Sequence, residues 1–310
     1  MSTSKIELAA QFINSTDEHI FLTGKAGTGK TTFLHQITEQ THKNAVVVAP
    51  TGIAALNAGG VTIHSQFQLP MGSYLPEPQH FQNTPSVELY TARDLARRSP
   101  LNSTRKKVLR SLDLLIIDEV SMLRADLLDA IDQRLRASRQ RYKVPFGGAQ
   151  LLLIGDLLQL PPIVKDQEWN YLKPYYPSIH FFESQGLKQA GLTYLELDKI
   201  FRQSDSTFIE LLNALRNNEC EPHHLQLLNE RVQPHAAREE GIVTLSTHNH
   251  QAQKINDQNL QALPGPSKVF EARTEDDYPE KLYPLPYKME LRVGAQVMFI
   301  KNHQDGDYYN

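Results

Sequence analysis

The sequence contains very little cysteine and no long apolar run, and both shortages limit what the protein can be. Cys220 is the single cysteine of 310 residues, so no disulfide can form within the chain and a reducing compartment is expected. No stretch approaches the roughly 18 apolar residues that a membrane-spanning helix needs. The opening residues, MSTSKIELAA, have the pattern of neither a secretory signal nor a transit peptide. We therefore expect a cytoplasmic location.

The sequence also lacks a strong net charge, since the formal value is −3, and no global positive field attracts polyanions. Positive charge is nevertheless concentrated in two stretches, of which the first has Asp94 as its sole acid and the second has no acid. The basic residues are Arg93, Arg97, Arg98, Arg105, Lys106, Lys107 and Arg110 in the first, and Arg134, Arg136, Arg139, Arg141 and Lys143 in the second. Each cluster is either a solvated helix face or a contact for a polyanion backbone.

The hydrophobic pattern predicts an α/β fold with a parallel sheet. Four short apolar runs without alternation, at 20–24, 45–50, 112–119 and 149–156, are typical of strands buried on both faces. Helical patterns at 31–41 and 125–141 lie between them, as in a doubly wound domain. The length and the hydrophobic content of 40% suggest two or three domains.

Two parts of the chain depart from this first domain. Residues 65–110 are rich in Pro, Gln and Ser and then in basic residues, which indicates an insertion that projects from the sheet. A second unit is expected to begin near Leu192 with a strand, followed by helices at 207–217 and 248–262, strands at 242–247 and 294–300, and a loop or hairpin over 264–286. The final residues, KNHQDGDYYN, are either the edge of a domain cut short or a polar tail.

A glycine-rich loop predicts a phosphate site. Residues 24–31, GKAGTGKT, fit G-x-x-x-x-G-K-[ST] between a strand and a helix. The glycines let backbone N–H groups turn inward and form an anion nest at a helix N-terminus. Lys30 supplies a positive charge to the β- and γ-phosphates of ATP, and the Thr31 hydroxyl ligates Mg²⁺. The further nucleotide contacts are expected from Gly24, Ala26, Gly27, Thr28, Gly29 and Thr32.

An acidic pair ends the third apolar run, LLIIDE. Asp118 is expected to hold Mg²⁺, and Glu119 to orient and deprotonate the water that attacks the γ-phosphate. Alone, such a pair is more typical of a helix N-cap and an acidic first turn. The glycine-rich loop upstream favours the catalytic interpretation. In the next run, Gln159 of IGDLLQLPPI either senses the γ-phosphate or is a polar loop residue before a Pro-Pro turn.

Taken together, the motifs resemble those of the PIF-type DNA helicases, which are 5′-to-3′ motors of superfamily 1B related to RecD. The segment that ends in PFGG resembles the one that sets this family apart from other RecD-like helicases. The segments that carry the resemblance are GKAGTGKT (24–31), APTGIAALNAGGVTIHS (49–65), IIDEVSM (116–122), ADLLDAIDQRLRASRQRYKVPFGGAQL (125–151), GDLLQLPPI (155–163), LDKIFRQ (197–203) and GAQVMFIKN (294–302).

The resemblance implies a P-loop NTPase with two RecA-like domains. The first motor domain would comprise residues 1–64 and 101–190, a small inserted wedge domain residues 65–100, and the second motor domain residues 191–310. The family's C-terminal Ala-x-Ser-Arg segment and small β-barrel are absent from these 310 residues. The second domain is therefore expected to be incomplete.

The resemblance also implies roles for residues that the pattern alone does not single out. Arg202 would be an arginine finger that reaches the γ-phosphate, and Gln11 is the nearest candidate for the glutamine that contacts adenine. The single-strand track would be lined by Pro50, Thr51, Gly52, Thr62, His64 and Ser65. Candidates for the strand-separating wedge are Leu69, Pro70 and Met71.

The expected function is ATP-dependent 5′-to-3′ translocation on single-stranded DNA and unwinding of forked or structured DNA. The protein is expected to be a monomer in solution. In a bacterium such a protein would be associated with the nucleoid, and in a eukaryote it would be nuclear. A second interpretation is an ATP-binding module for single-stranded DNA that lacks full catalysis. A RecD- or relaxase-type helicase and a P-loop ATPase without a nucleic-acid role are further alternatives. The PFGG segment argues against the first of these two.

Overall fold

The computed structural model describes residues 5–77, 87–199, 201, 205–232, 242–273 and 285–297. The chain divides into two compact units, Met1–His224 and Leu225–Asn310. No helix in the described part of the chain is long and apolar enough to cross a membrane.

The first unit is built on a parallel sheet of six strands in the order β3-β2-β6-β7-β1-β8. Its strands are β1 (Ile20–Gly24), β2 (Ala45–Ala49), β3 (Val61–Thr62), β6 (Leu114–Ile117), β7 (Gln150–Ile154) and β8 (Thr193–Leu197), and a separate parallel pair is formed by β4 (Ser73–Tyr74) and β5 (Leu89–Tyr90). The predicted α/β fold with a parallel sheet is confirmed.

The helices of this unit cover the sheet and connect its strands. They are α1 (Lys5–Ser15), α2 (Lys30–Gln40), α3 (Gly52–Asn57), α4 (Ile63–Phe67), α5 (Ala92–Arg98), α6 (Ser103–Ser111), α7 (Ala125–Arg139), α8 (Asp166–Leu172), α9 (Gln185–Ala190) and α10 (Ser206–Asn217). Short 3₁₀ turns lie at Val120–Met122, Pro145–Gly148 and Phe181–Glu183.

The central strands are buried on both faces, as their uninterrupted apolar sequence predicts. In β6, Leu114 and Ile116 face a core formed with α1 and α2, whereas Leu115 and Ile117 face a second core formed with α6 and α7. Each such side chain contributes about 1.5–3 kcal/mol through burial. The sheet is therefore a rigid base for the residues that follow its strands.

Helix α7 carries three buried aspartates, Asp126, Asp129 and Asp132, spaced every third residue along one side. Asp129 accepts hydrogen bonds from the Tyr176 hydroxyl at 2.8 Å and from two backbone N–H groups at the start of α9, at 3.1 and 3.0 Å. Asp132 accepts from Arg136 Nε at 2.7 Å. A buried carboxylate is costly unless it is paired in this way, so the bonds of Asp129 specify how α9 packs on α7.

The inserted segment is attached to the sheet domain by an ion-pair network at the start of α7. The Arg124 guanidinium lies 2.6 Å from Asp126 and 2.9 Å from Glu168 of α8, and it donates to the Ser73 hydroxyl at 2.7 Å. Asp126 also accepts the backbone N–H of Tyr74 at 2.9 Å. Because the network is largely buried, strand β4 is held against α7 and does not project freely.

The strand that we expected at the start of the second domain belongs to the first sheet. Strand β8 pairs in parallel with β1 over its full length, from Ile20 opposite Thr193 to Gly24 opposite Leu197. Strand β8 forms the edge of the sheet next to β1. Its apolar sequence indicates a strand but does not specify which sheet the strand joins. The boundary between the two motor domains stays a prediction.

The second unit begins at Leu225, within α11 (Pro222–Asn229), so this helix crosses the unit boundary. It contains α12 (Asn249–Ala262) and an antiparallel pair of β9 (Lys268–Glu271) and β10 (Lys288–Leu291). The predicted strand at 242–247 is wrong, because these residues are in no regular secondary structure and Leu245 is 92% exposed. Residues 294–297 of the last predicted strand are not in a strand, and 298–300 lie outside the described residues.

The imidazole of His19 gives the first unit a pH-dependent stability. Its Nδ1 accepts the backbone N–H of Leu151 at 3.0 Å, and burial lowers its pKa to about 4, although Asp17 acts in the opposite direction. The unfolded chain therefore binds a proton below about pH 6.5 that the folded chain refuses until about pH 4. The stability associated with the neutral ring is complete above about pH 6.5 and is lost as the pH falls.

We expect His19→Asn to reduce this pH dependence while its amide oxygen still accepts the Leu151 N–H. Between about pH 7.5 and about pH 5, the free energy of unfolding of the wild type should fall by about 2 kcal/mol more than that of the variant. Urea unfolding of both proteins at the two pH values measures the difference. Equal losses in both would show that His19 is not the group responsible.

Candidate nucleotide and DNA site

Three neighbouring strands bring polar residues to one edge of the sheet. The glycine-rich loop follows β1, Asp118 follows β6 and Asp156 follows β7, and these strands are adjacent in the order β6-β7-β1. Because the carboxyl ends of parallel strands meet at the same edge, the loop and the two carboxylates form one crevice.

The loop at residues 24–31 has the backbone conformation that its glycines predict. Gly24, Gly27 and Gly29 have φ angles of 151°, 79° and 88°, and Gly29 caps the N-terminus of α2. A Cβ atom on Gly24 would lie 2.5 Å from the carbonyl oxygen of Leu197, so no other residue fits there. The buried Thr28 hydroxyl donates to the carbonyl of Lys25 at 2.9 Å and closes the loop.

The Lys30 ammonium lies across the mouth of this loop. Its Nζ donates to the carbonyl oxygens of Gly24 at 2.7 Å and Lys25 at 3.0 Å. Partial burial lowers the pKa of Lys30, while the carboxylates of Asp156 and Glu119 act to raise it. A cation held beside an anion nest at a helix N-terminus is suited to bind the β- and γ-phosphates of a nucleotide.

Asp118 and Glu119 occupy the crevice next to Lys30. Asp118 is 8% exposed, and its Oδ1 accepts the backbone N–H of Glu119 at 2.9 Å. Burial raises the pKa of Asp118, the Glu119 carboxylate adds to this, and Lys30 opposes it. Glu119 has a left-handed backbone with φ 51°, a conformation that costs a non-glycine residue about 1–3 kcal/mol. This left-handed residue changes the direction of the chain directly after β6.

The side chains present fit Mg²⁺. Hydroxyl and carboxylate oxygens are the hard ligands that this ion prefers, and the exposed Thr31 follows Lys30 at the start of α2. Asp118 uses Oδ1 for its hydrogen bond, which leaves Oδ2 available. Thr31 and Asp118 are the residues that would hold the ion.

Asp156 connects two further residues to this crevice. Its carboxylate is 1% exposed, and its Oδ2 accepts from Gln159 Nε2 at 3.0 Å and from Arg216 Nη1 at 2.6 Å. Burial acts to raise the pKa of Asp156, but the bonds from Arg216, Gln159 and the Leu158 N–H outweigh it, and the pKa is lowered. The carboxylate is thus ionised and shared between the predicted γ-phosphate sensor and helix α10.

Of the two residues expected from the resemblance to contact the nucleotide, Gln11 is exposed on α1 and Arg202 lies outside the described residues. The neighbour of Arg202 is described, and the backbone N–H of Phe201 donates to the carbonyl of Gly27 in the glycine-rich loop at 2.7 Å. The segment that carries Arg202 therefore begins directly beside the loop. The roles of both residues stay predictions.

The residues expected to line the DNA track lie at the same edge of the sheet, beyond β6. Pro50 and Thr51 follow β2 and Thr62 ends β3, and the two strands pair with Ala49 opposite Thr62. Thr51 and Thr62 are N-caps whose hydroxyl oxygens accept backbone N–H groups at 3.2 and 3.3 Å. Each hydroxyl hydrogen remains able to donate to a phosphate. Gly52 and Ser65 are exposed and continue this row.

His64 lies partly buried in the same row. Burial and the nearby Arg124 lower the pKa of its imidazole, while Asp126 opposes them. The ring is therefore neutral near neutral pH, so it would contact a DNA backbone by a hydrogen bond and not as a cation.

The three wedge candidates differ in exposure. Leu69 is 7% exposed and belongs to the core around α7, whereas Met71 is 64% exposed, and Pro70 is intermediate. The Leu69 side chain is not available to contact DNA in this structure. An apolar residue after a polar helix end is equally suited to packing, and the sequence could not separate the two uses.

The basic clusters also divide. In the second cluster, Arg134 is 6% exposed and donates to the carbonyls of Gln68 at 2.8 Å and Ser99 at 2.6 Å. Arg136 forms an ion pair with Asp132. Arg139 donates to the Gly147 carbonyl at 2.8 Å. These three arginines stabilise the fold. The sequence had suggested either a solvated helix face or a contact for a polyanion, and neither describes them. Their partners are mostly backbone carbonyls, which leave no trace in sequence.

The first cluster is largely exposed and adjoins the row of residues expected to line the DNA track, which we call the DNA row. Arg105 donates to the Ser65 hydroxyl at 3.4 Å and to the Gln66 carbonyl at 3.2 Å. Lys106 and Lys107 beside it are exposed. Contact with a polyanion therefore stays a prediction for this cluster.

The side chains of Glu210, His223 and His224 form a second group of residue types that bind metals, with one ligand atom of each within 4.8 Å of the others. His224 Nδ1 accepts the backbone N–H of Glu221 at 3.0 Å, so in the neutral ring the proton is on Nε2. In this state the lone pair of Nδ1 is engaged by the Glu221 N–H, and Nε2 would have to lose its proton to bind a metal. His224 is thus explained as a residue that caps α11.

Sequence reasoning missed Arg216 and the part that Asp156 plays. The sequence does contain a feature that indicates Asp156, because this residue follows a buried strand, with Gly155 between them, much as Asp118 follows β6. Arg216 had none, since one arginine near the end of an amphipathic helix is ordinary.

Comparison with known proteins places this site in a family. A model described as PIF1-like helicase matches residues 6–224. The ATP-dependent DNA helicase PIF1 of Homo sapiens is 36% identical over 295 residues, which cover 92% of this chain and 41% of that protein. The ATP-dependent DNA helicase RRM3 of Saccharomyces cerevisiae is 30% identical over 325 residues, covering 99% of this chain and 41% of that one.

A solved structure agrees with these relatives. The crystal structure of Bacteroides Pif1 bound to single-stranded DNA is 37% identical, with a TM-score of 0.84 over 100% of this chain and 68% of that one. The chain spans 41% of the length of the curated relatives named above.

A phosphate-binding loop between strand β1 and a helix, with carboxylates after β7 and β6 on one side of it, defines a P-loop nucleotide-binding protein of the α/β class. Within that class, the chain belongs to the PIF1-like helicase family. The resemblance drawn from the sequence motifs is thereby confirmed.

Proposed function

We propose that this protein is an ATP-dependent DNA helicase that moves 5′-to-3′ along single-stranded DNA. The observation that carries the proposal is the arrangement of one sheet edge. Strands β3 and β2 end in the row with Thr62 and Thr51, and the adjoining β6, β7 and β1 end in the nucleotide crevice. A change at the nucleotide is therefore one strand away from the DNA row.

The named relatives support this proposal. Two of the most similar curated proteins are ATP-dependent DNA helicases. Related Pif1 structures contain single-stranded DNA together with ADP-AlF₃, or a forked duplex. ATP, Mg²⁺, single-stranded DNA and forked or structured DNA are accordingly the proposed ligands. That the protein is a monomer in solution is a separate proposal, on which these relatives do not bear.

In hydrolysis, the loop would hold the phosphates through backbone N–H groups, and Lys30 would neutralise charge on the β- and γ-phosphates. Bound Mg²⁺ supplies further neutralisation of the phosphate oxygens. Glu119 would accept the proton of the attacking water, with Gln159 close to the γ-phosphate and Arg202 reaching it from the second motor domain.

The DNA row would hold the strand through its phosphates. Thr51, Thr62 and Ser65 offer hydroxyl donors, and contacts of this kind position a strand without selecting its sequence. The proposed motor domains keep the bounds that the resemblance implies, residues 1–64 with 101–190 and residues 191–310, with 65–100 as the inserted wedge domain. Strand β8 is the part of the second range that pairs with the sheet of the first. Alternate closure and release of the two motor domains during the ATP cycle would move the strand.

The proposal predicts that DNA stimulates hydrolysis. Steady-state ATP hydrolysis should rise about tenfold or more on addition of oligo-dT. This factor corresponds to the coupling free energy typical of two linked sites, here the DNA site and the nucleotide site. Affinity for oligo-dT should fall steeply with salt, because each phosphate contact releases counterions. Weak, salt-independent binding would favour an ATPase without a nucleic-acid role.

Direction is tested with duplexes that carry one single-stranded tail. Unwinding of a duplex with a 5′ tail, and none with a matched 3′ tail, is the expected result. Unwinding from the 3′ tail would overturn the proposed direction. Binding of oligo-dT without hydrolysis would instead indicate a single-strand-binding module.

A further inference from the structure

Helix α10 is connected to the nucleotide crevice by one ion pair. Arg216 Nη1 lies 2.6 Å from Asp156 Oδ2, and the Asp156 carboxylate is 1% exposed. A buried pair of this kind costs much to break, because the remaining charge is left without a partner. The pair therefore persists unless something replaces one of its members.

The same carboxylate oxygen sets the orientation of Gln159. An ionised carboxylate only accepts hydrogen bonds, so the amide nitrogen of Gln159 must face Asp156, as it does at 3.0 Å. The amide oxygen then points away from Asp156, and the second N–H hydrogen remains free. Backbone bonds from Gln159 N–H to the Asp156 carbonyl at 2.9 Å and from Leu158 N–H to Asp156 Oδ1 at 3.1 Å restrict the loop further.

Arg216 keeps Asp156 in the state that this orientation requires. Among the groups that lower the pKa of Asp156 against its burial, the hydrogen bond from Arg216 is the largest. Without Arg216, the buried carboxylate would either take up a proton, which converts one oxygen into a donor, or remain as an unpaired anion close to Lys30. The first outcome disturbs the Gln159 amide, and the second repels a triphosphate.

We infer that Arg216 is a positioning residue for nucleotide hydrolysis, which acts through Asp156 to hold the Gln159 amide toward the γ-phosphate. The inference rests on the proposed function, because it assigns Gln159 to the γ-phosphate. It also links two segments, since α10 begins four residues after Arg202. A movement of α10 that weakens the ion pair would release the sensor.

The test combines Arg216→Gln, Arg216→Lys and Gln159→Ala, with kcat and KM for ATP measured in the presence of oligo-dT. Arg216→Gln should lower kcat about tenfold and raise KM for ATP by no more than about threefold, a coupling typical of neighbours in one network. Arg216→Lys, which keeps the charge, should recover most of that loss. In a Gln159→Ala background, Arg216→Gln should have less than about a twofold further effect. Arg231→Gln, an exposed arginine with the same change of charge, is the control.

An equal loss from Arg216→Gln with and without Gln159 would overturn the inference, because the residue would then act independently of the sensor. A thermal unfolding curve of each variant separates loss of folding from loss of positioning. Nucleotide binding gives a result that does not depend on hydrolysis. Arg216→Gln should reduce the preference for a non-hydrolysable ATP analogue over ADP, and an unchanged preference contradicts the inference. Absence of DNA-stimulated hydrolysis in the wild type would instead count against the proposed function.

Discussion

Lys30→Ala is expected to abolish most ATP hydrolysis, with a loss of about 10²- to 10³-fold in kcat, the size found when one preorganised electrostatic partner is removed. The Lys30 ammonium lies within 3.0 Å of two carbonyls at the mouth of the glycine-rich loop. Its removal takes away the charge that stabilises the γ-phosphate and leaves these carbonyls without their donor. The measurement is steady-state hydrolysis with oligo-dT at saturating ATP.

Two comparisons make the Lys30 result specific. Lys173→Ala removes an exposed lysine whose Nζ bonds to Asn170 at 2.9 Å, and it should hydrolyse ATP at the wild-type rate. Binding of oligo-dT without nucleotide should be unchanged in Lys30→Ala, because the residues proposed to contact DNA follow β2 and β3, whereas Lys30 follows β1. A Lys30→Ala variant with hydrolysis within a few-fold of wild type would mean that another site binds the nucleotide.

Glu119→Gln is expected to separate nucleotide binding from hydrolysis. Glutamine preserves the size of the side chain but cannot accept the proton of the attacking water, so kcat should fall about 10²- to 10⁴-fold. ATP affinity should change little, since the loop and Lys30 remain intact. Single-turnover hydrolysis and equilibrium binding of a fluorescent ATP analogue measure the two quantities.

The matched control for this variant is Glu39→Gln, an exposed glutamate near the end of α2, which should be silent. If Glu119→Gln retained hydrolysis close to the wild-type rate, the base would have to be a different group in the crevice. If it lost ATP binding as well, Glu119 would act on the structure of the loop and not on water.

The local parts of the site could be predicted from the sequence because each depends on neighbours along the chain. The glycine pattern at 24–31 specifies positive φ angles and a helix N-terminus whatever surrounds it. Asp118 and Glu119 follow an apolar run that has to be buried, so their place at a strand end was also determined locally. The order of the strands, which makes these elements adjacent, was not.

Residues whose partners are distant in sequence were missed or misjudged. Arg134 looks like a surface cation in its sequence context, yet its guanidinium donates to carbonyls 35 and 66 positions away. Leu69 is suited to a wedge by chemistry but is buried by packing on α7. Strand β8 carries the expected pattern but joins the first sheet, because the edge of β1 accepts it.

The sequence by itself determined the class of this protein: a P-loop, an acidic strand end and the segments of a PIF1-like helicase, all encoded by short-range patterns. The tertiary structure alone decided which strands lie side by side, and therefore that the residues proposed to contact DNA and the nucleotide crevice share one edge. It also decided that Arg216 reaches Asp156 across 60 residues. The reason is physical, since backbone conformation follows from neighbouring residues, whereas the pairing of buried charges follows from which surfaces come together when the core packs.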